Sequence, residues 1–443
     1  MTNPLHSQTQ IHSNIKTIFT TAFFALLFFL CSADRSFTSH VHGFNLRWGQ
    51  ILLLICALPP LYQFKIELQN HQLRTNFFFH WLPFFVIYGI AAIFAASPFL
   101  TGLKWGWGIF NIGLAALVCL YAPKDKSIEK GFQWGIFLIS AFIWLEAIAI
   151  YVFSPFTIIN KLSPWGPGAV SFLSIPIGYT QISLQYMGFQ SYRPNAFYYE
   201  PSYAGCALSF ALFILFILDS KRSNFKSGWI PAIVVSSVIL CSSRSGIIST
   251  VLFLIASPII LIFFKQTSVL PRSIFKAFVI TVLLIGLFCA FPNGRKYMEF
   301  ITGPLGADTT SRIAEYKLGT TSEGNRLLNL EESFMFWMHH PVLGNGVTPQ
   351  SGGNGNGLSQ FSMATWTEIG MESGTLGVLA FLFAIVSNIS LAWKQSSDFC
   401  VKTVVLLACI IHFGVQLFLS QTFPRLDYWL LFFLAIRLLI NEP

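Results

Sequence analysis

The sequence predicts an all-α polytopic membrane protein, with about 12 transmembrane helices and two long extracytoplasmic loops. Composition and charge placement carry that expectation. Apolar residues make up 54% of the 443 and charged residues only 10%, against roughly 25% charged in a typical soluble domain. So little charge cannot cover a soluble chain of this length, and with a mean hydropathy of +0.63 its apolar surface must face lipid. The same composition excludes a secreted disulfide scaffold, a disordered chain and a nucleic-acid-binding domain. The 27 Lys and Arg behind the net charge of +9 are scattered between apolar runs. No nucleic acid is expected as a partner.

A bilayer core of about 30 Å needs about 20 mostly apolar residues per helix. Runs of that kind lie near 17–33, 48–64, 77–97, 105–122 and 132–154, then 201–219, 228–242, 246–264 and 274–292, and finally 365–392, 400–419 and 426–441. The first is a retained helix rather than a signal peptide, since its n-region is weakly basic and no small-residue cleavage pattern follows. The second contains Pro59-Pro60, which should kink or end it. The runs 228–242 and 246–264 are too long together for one crossing and read as a tight hairpin around Ser243-Arg244-Ser245.

Twelve crossings put both termini on one side. Lys and Arg are dense on the short connections of that side, among them Lys124, Lys126 and Lys130, Lys221, Arg222 and Lys226, and Lys265, Arg272 and Lys276. The positive-inside rule makes that side cytoplasmic. The chain then divides into N-terminal helices (1–154), a first long periplasmic loop (155–200), central helices (201–292), a large periplasmic loop with an amphipathic helix (293–364) and C-terminal helices (365–443). The eight cysteines lie mostly in apolar runs without CxxC spacing and read as small core residues. The Gly/Asn-rich stretch Gly344–Gly357 lacks a GK[ST] ending and is not a P-loop.

Function should sit where charge near the membrane lacks an explanation. The first loop ends Arg193-Pro-Asn-Ala-Phe-Tyr-Tyr199-Glu200-Pro201-Ser202. Pro201 suits a first helical turn, which sets Glu200 at a positive helix end. Glu200 is either a dipole-shielded carboxylate or a catalytic one with Arg193 beside it. Tyr199 either stacks on a sugar or belongs to the interfacial aromatic belt. Arg244, in a four-residue turn between apolar runs, either snorkels or faces a wet cavity and binds an anion. In the second loop Asn325 can cap a helix, with Leu327, Leu330, Phe334 and Trp337 on one face and His340-Pro341 at its end. Arg326 at its start is a second anion ligand candidate. His340 either caps the last carbonyls or acts as an acid/base. Glu368 and Glu372, at i,i+4, are an acid/base pair or an outer-surface pair. Glu146 lies well inside the fifth run, the main support for a transporter. Arg425 and Asp427 sit at a span end. No HExxH or shared His face is present, so no metal and no cofactor is expected.

Four segments then occur in order: Arg193 with Tyr199-Glu200-Pro201-Ser202, Cys241-Ser-Ser-Arg244-Ser-Gly246, His340-Pro-Val-Leu-Gly-Asn-Gly346, and Glu372-Ser-Gly-Thr-Leu-Gly377. Together they resemble the bacterial O-antigen polymerase and O-antigen ligase superfamily, which includes Wzy-type polysaccharide polymerases. The resemblance covers roughly residues 190–380. It implies a metal-independent glycosyltransferase of the inner membrane. Such an enzyme moves glycan from polyprenyl (undecaprenyl) diphosphate to an acceptor hydroxyl on the periplasmic face. By the same resemblance Arg244 and Arg326 would hold the diphosphate, and Arg193 the anionic donor or acceptor. Glu200 is then the first candidate base and His340 the second. A chain-length regulator and a flippase are partners it implies. Ligases carry a His-Asn pair shortly before the last segment, where this chain has Phe361-Ser-Met-Ala-Thr-Trp366. That difference favours the polymerase branch, with ligase and transporter as alternatives.

Overall fold

The structure is a computed structural model. It describes residues 4–32, 38–41, 44–69, 73–121, 126–154, 157–160, 169–172, 175–186, 189–198, 201–220, 229–263, 270–302, 322–347, 364–416 and 425–440. Where they are described, the apolar runs are largely helical. In chain order the first helices are α1 (Pro4–Ser32), α2 (Trp48–Gln69), α3 (Leu73–Phe79), α4 (Leu82–Phe94), α5 (Pro98–Tyr121) and α6 (Ser127–Tyr151). Then follow α7 (Pro201–Ser220), α8 (Trp229–Leu240), α9 (Arg244–Phe263), α10 (Leu270–Cys289) and α11 (Pro292–Thr302). The last are α12 (Ser322–His339), α13 (Thr365–Gln395), α14 (Phe399–Ile411) and α15 (Leu426–Ile440).

Among the described residues, six helices are long and apolar enough to cross a membrane, or seven if α10 and α11, bent by 118°, form one broken crossing. Four shorter apolar helices accompany them. The protein is thus a mainly helical, multi-pass membrane protein.

Burial sets the layers. The side chains of α15 are buried almost all round, Asp427 and Arg437 included, and so are nearly all those described on α7. A helix apolar on every face belongs inside a bundle. By contrast α9 and α10 expose Ile255, Ile259, Phe263, Phe278 and Leu283, the surface a bilayer would cover. Buried polar groups tie helices together: Gln50 Nε2 donates to Asn111 Oδ1 at 3.0 Å, and Arg437 Nη1 to the Cys119 carbonyl at 2.9 Å.

Several elements differ from the sequence expectation. Within the stretch expected as a loop of an all-α chain, four described strands pair antiparallel in the order β3-β4-β5-β6: β3 (Thr157–Asn160), β4 (Ala169–Phe172), β5 (Ile175–Tyr186) and β6 (Phe189–Pro194). A small hairpin, β1 (Thr38–Val41) with β2 (Phe44–Arg47), precedes α2. Short β-branched and aromatic stretches between Gly and Pro favour pairing over helix. The second helix does not stop at Pro59-Pro60; it runs through both to Gln69. The third run is interrupted at His80-Trp81, where Pro83 removes an N–H and its ring opposes the carbonyl four residues back, although Thr75–Phe94 as a whole is one of the six candidate crossings. Nor do α8 and α9 form a packed hairpin: they make little contact with each other, and each packs along α7.

Candidate functional site

The turn between α8 and α9 is held by three neighbouring elements, β6, α11 and α7. Ser242 has φ +50°, so the chain leaves its helical course there. Arg193 at the end of β6 donates from Nη2 to the Ser242 carbonyl at 2.7 Å and from Nε to the Cys241 carbonyl at 3.3 Å. It thereby satisfies carbonyls at the negative end of α8. Tyr297 donates to the Leu240 carbonyl at 2.6 Å and stacks on Tyr151 with centroids 4.4 Å apart.

Ser243 then caps α9. Its Oγ accepts from Gly246 N at 3.2 Å and reaches the Ser202 carbonyl on α7 at 3.3 Å. Gly205 and Gly246 are in backbone contact; a Cβ on Gly246 would stand 2.6 Å from Gly205. The first turns of α7 and α9 are therefore pressed together, with Arg244 exposed on the first turn of α9. Two helix N-termini and a guanidinium make an electropositive corner suited to phosphate oxygens.

The residues that follow β6, Asn195 and Ala196, are seated on a buried carboxylate. Oε2 of Glu146 accepts from Asn195 N at 2.9 Å and Ala196 N at 2.6 Å. Ala196 has φ +49°, and Asn195 Nδ2 bonds the Tyr198 carbonyl at 2.8 Å. Phe197 wedges against Phe142 and Phe29. Among the described residues, Glu146 is thus met by a pair of backbone amides.

Farther along, Tyr198 meets a residue whose role no sequence motif announces. Arg425 is buried, pairs with Asp427 through Nη2 at 3.0 Å and Nε at 3.2 Å, and lies over three rings: Tyr203 at 4.6 Å, Tyr198 at 5.3 Å and Tyr428 at 5.6 Å. Tyr198 and Tyr203 bracket Glu200, so this cage grips the chain on both sides of it. His412, at the start of a π-helical turn, stacks between Phe210 and Tyr428.

The last two sequence segments meet directly. Helix α13 unwinds at Gly374, with φ +67° and ψ −170°. Residues 341–346 run into the gap: Asn345 N bonds the Met371 carbonyl at 2.8 Å, Gly346 N the Glu372 carbonyl at 3.2 Å, and Thr375 N the Pro341 carbonyl at 2.7 Å. Beneath lie Glu368 and Glu372, fully buried rather than at the outer surface. Lys104 on α5 bridges both carboxylates, and Tyr88 on α4 donates to Glu372. The clue in the sequence is Lys104 itself, a lone cation near the start of an apolar run.

Of the predicted site residues, Arg193 and Arg244 come together around one turn. Tyr199 and Glu200 lie outside the described residues, just before α7. Arg326 falls on α12, with its side chain outside what is described. His340 is exposed beside Phe336. It is His339 whose ring meets a last-turn carbonyl, that of Met335 at 2.7 Å. The helix starts at Ser322, ahead of the expected cap Asn325.

Residues 83–303 match the family model of the WcaD colanic acid polymerase, a stretch just short of half the chain. It includes Glu146, Arg193 and Arg244 and stops before Arg326 and His340. The match is consistent with a Wzy-type polymerase of O-antigen or exopolysaccharide. No curated protein matches the chain at a significant level.

Proposed function

From a chain whose central residues match a colanic acid polymerase family, we propose a polymerase of lipid-linked oligosaccharide repeat units. Its product is O-antigen, capsule or exopolysaccharide, and its site is the periplasmic face of the inner membrane. The chain crosses twelve times with both termini cytoplasmic. The donor glycan is joined through its anomeric carbon to polyprenyl diphosphate, whose tail lies in the bilayer. The observation that carries the reading is Arg244, exposed where the first turns of α7 and α9 are pressed together.

The acceptor hydroxyl oxygen attacks the anomeric carbon, and the bond from that carbon to the diphosphate oxygen breaks. Polyprenyl diphosphate leaves with the bonding pair, and the hydroxyl proton passes to Glu200, with His340 as second candidate. Arg244 and the two helix N-termini compensate the charge on the departing diphosphate. Stabilising charge that develops at the transition state is usually what accelerates such a transfer most. Arg326 is a second diphosphate ligand, Arg193 aids glycan binding while holding the turn, and Tyr199 stacks on a sugar. Fixed arginines supply the charge compensation, so no metal is required. A transporter is less well supported, since Glu146 is seated on backbone amides rather than lining a path.

The test is a gel of surface glycan from a deletion strain carrying the restored gene or a variant. Arg244→Ala should collapse the ladder to core plus one repeat unit, with Arg244→Lys keeping part of it. A full ladder from Arg244→Ala at normal protein level would overturn the diphosphate assignment. Loss of all lipid-A-linked glycan, with long chains still on the carrier, would mark a ligase instead.

A further inference from the structure

We infer that Glu146 is a positioning residue for this reaction. It holds the Asn195–Ala196 turn, and through Arg193 that turn fixes the Ser242–Arg244 turn where the diphosphate binds. The inference rests on the Arg244 reading above.

Glu146 is a carboxylate near the end of a membrane-spanning helix, with no exposed surface. Its hydrogen-bond partners among the described residues are the two backbone N–H groups of Asn195 and Ala196, both on Oε2. The other oxygen, Oε1, has no hydrogen-bond partner there and faces Gly178 of β5, where a Cβ would overlap it. The sheet therefore closes over the carboxyl group, and Gly178 is required at that point. Substrate does not reach such a group, so it acts through its neighbours.

The turn needs an acceptor of this kind. A non-glycine residue in the left-handed region persists only where its surroundings hold it there. Successive amides in such a turn point the same way and form a small anion nest. Glu146 fills that nest from inside the bundle and is the buried counterpart of Ala196 at φ +49°. Two residues upstream of Asn195, the Arg193 guanidinium clasps the carbonyls of Cys241 and Ser242. Ser242 is the second left-handed residue of the pair, and Arg244 follows two positions later. One continuous chain of contacts thus runs from Glu146 through Ala196 and Arg193 to the start of α9.

Three variants of the full-length membrane protein test this. Glu146→Gln keeps a carbonyl oxygen for both amides, whereas Glu146→Leu keeps the volume without an acceptor. Ala196→Cys, at a position 1% exposed, reports whether the turn is seated, by labelling with a membrane-impermeant maleimide against the parent chain. The expected result is a near-normal glycan ladder for Glu146→Gln. For Glu146→Leu, polymer yield should fall about a hundredfold at unchanged protein level, and Ala196→Cys should become labelled in that background alone. A normal ladder from Glu146→Leu, or a collapsed one with Ala196→Cys still protected, would overturn the inference. A collapsed ladder from Glu146→Gln would also overturn it, because charge rather than acceptor geometry would then matter. Labelling does not depend on the reaction: if Arg244→Ala is fully active while Glu146→Leu exposes Ala196→Cys, the polymerase site reading fails and the link from Glu146 to the turn stands.

Discussion

Lys104 on α5 sets its ammonium 2.5 Å from Oε1 of Glu372 on α13, 268 positions further along the chain. The same nitrogen contacts Glu368. Removing one partner of a buried ion pair costs about 3–5 kcal/mol, because the other charge stays behind uncompensated. Lys104→Met should therefore sharply lower the temperature at which the detergent-purified protein loses its monodisperse elution peak. Adding Glu372→Gln to Lys104→Met should restore part of the loss. Single and double variants that lose the same amount would mean that the cluster does not hold α5 to α13.

The break in α13 depends on one glycine. At Gly374, φ +67° is unfavourable for any other residue, and a Cβ would collide with the Val342 carbonyl. Gly374→Ala should reduce both folded yield and polymer length severely. Gly106→Ala on α5, where a Cβ would meet nothing within 4 Å, should leave both unchanged. Equal effects at the two positions would contradict the geometry described for residues 341–346.

Arg425 is planar where planarity counts. A lysine in its place keeps the charge but loses both the two-point grip on Asp427 and the face-on contact with Tyr203. Arg425→Lys should cost about 1–3 kcal/mol of stability, read as a fall in thermal stability in detergent. A variant as stable as the parent would show that the cage contributes shape alone.

Ser243 has a separable capping role. Ser243→Ala should cost about 1 kcal/mol, the usual loss of an N-cap. Gly205→Ala should be far worse, because its Cβ would overlap the Ser243 side chain. Ranking the two by thermal stability checks whether close approach of α7 and α9, rather than the hydrogen bond, dominates this corner.

The helical body is legible because apolar runs report burial or lipid contact whatever their neighbours are. Pro83 and Gly374 break helices by covalent geometry, yet Pro59 and Pro60 lie in a helix that continues through them, so proline alone does not decide. At the site, sequence order already puts Arg193 and Arg244 in one set of motifs. It does not show that Arg193 is spent partly on the carbonyls of Cys241 and Ser242, because that contact spans the whole of α7 and α8. Arg425 reads as an ordinary span-end charge, since its three tyrosine partners come from two separate segments. Glu146 stands out as a buried charge, but its partners are backbone amides, which no residue type announces.

The bonds from Asn345 to Met371 and from Gly346 to Glu372 have a consequence for how such a chain can diversify. They anchor Val347 next to the unwound part of α13, and Ala364, where that helix begins, is seven residues from Met371, or about 11 Å along the axis. Val347 and Ala364 are thus held at neighbouring points of the frame. Lengthening a connection whose ends are already held costs little, about 0.6 kcal/mol per doubling if it is flexible. A change in the length of chain between Val347 and Ala364 can therefore leave the register of the helices beneath unchanged.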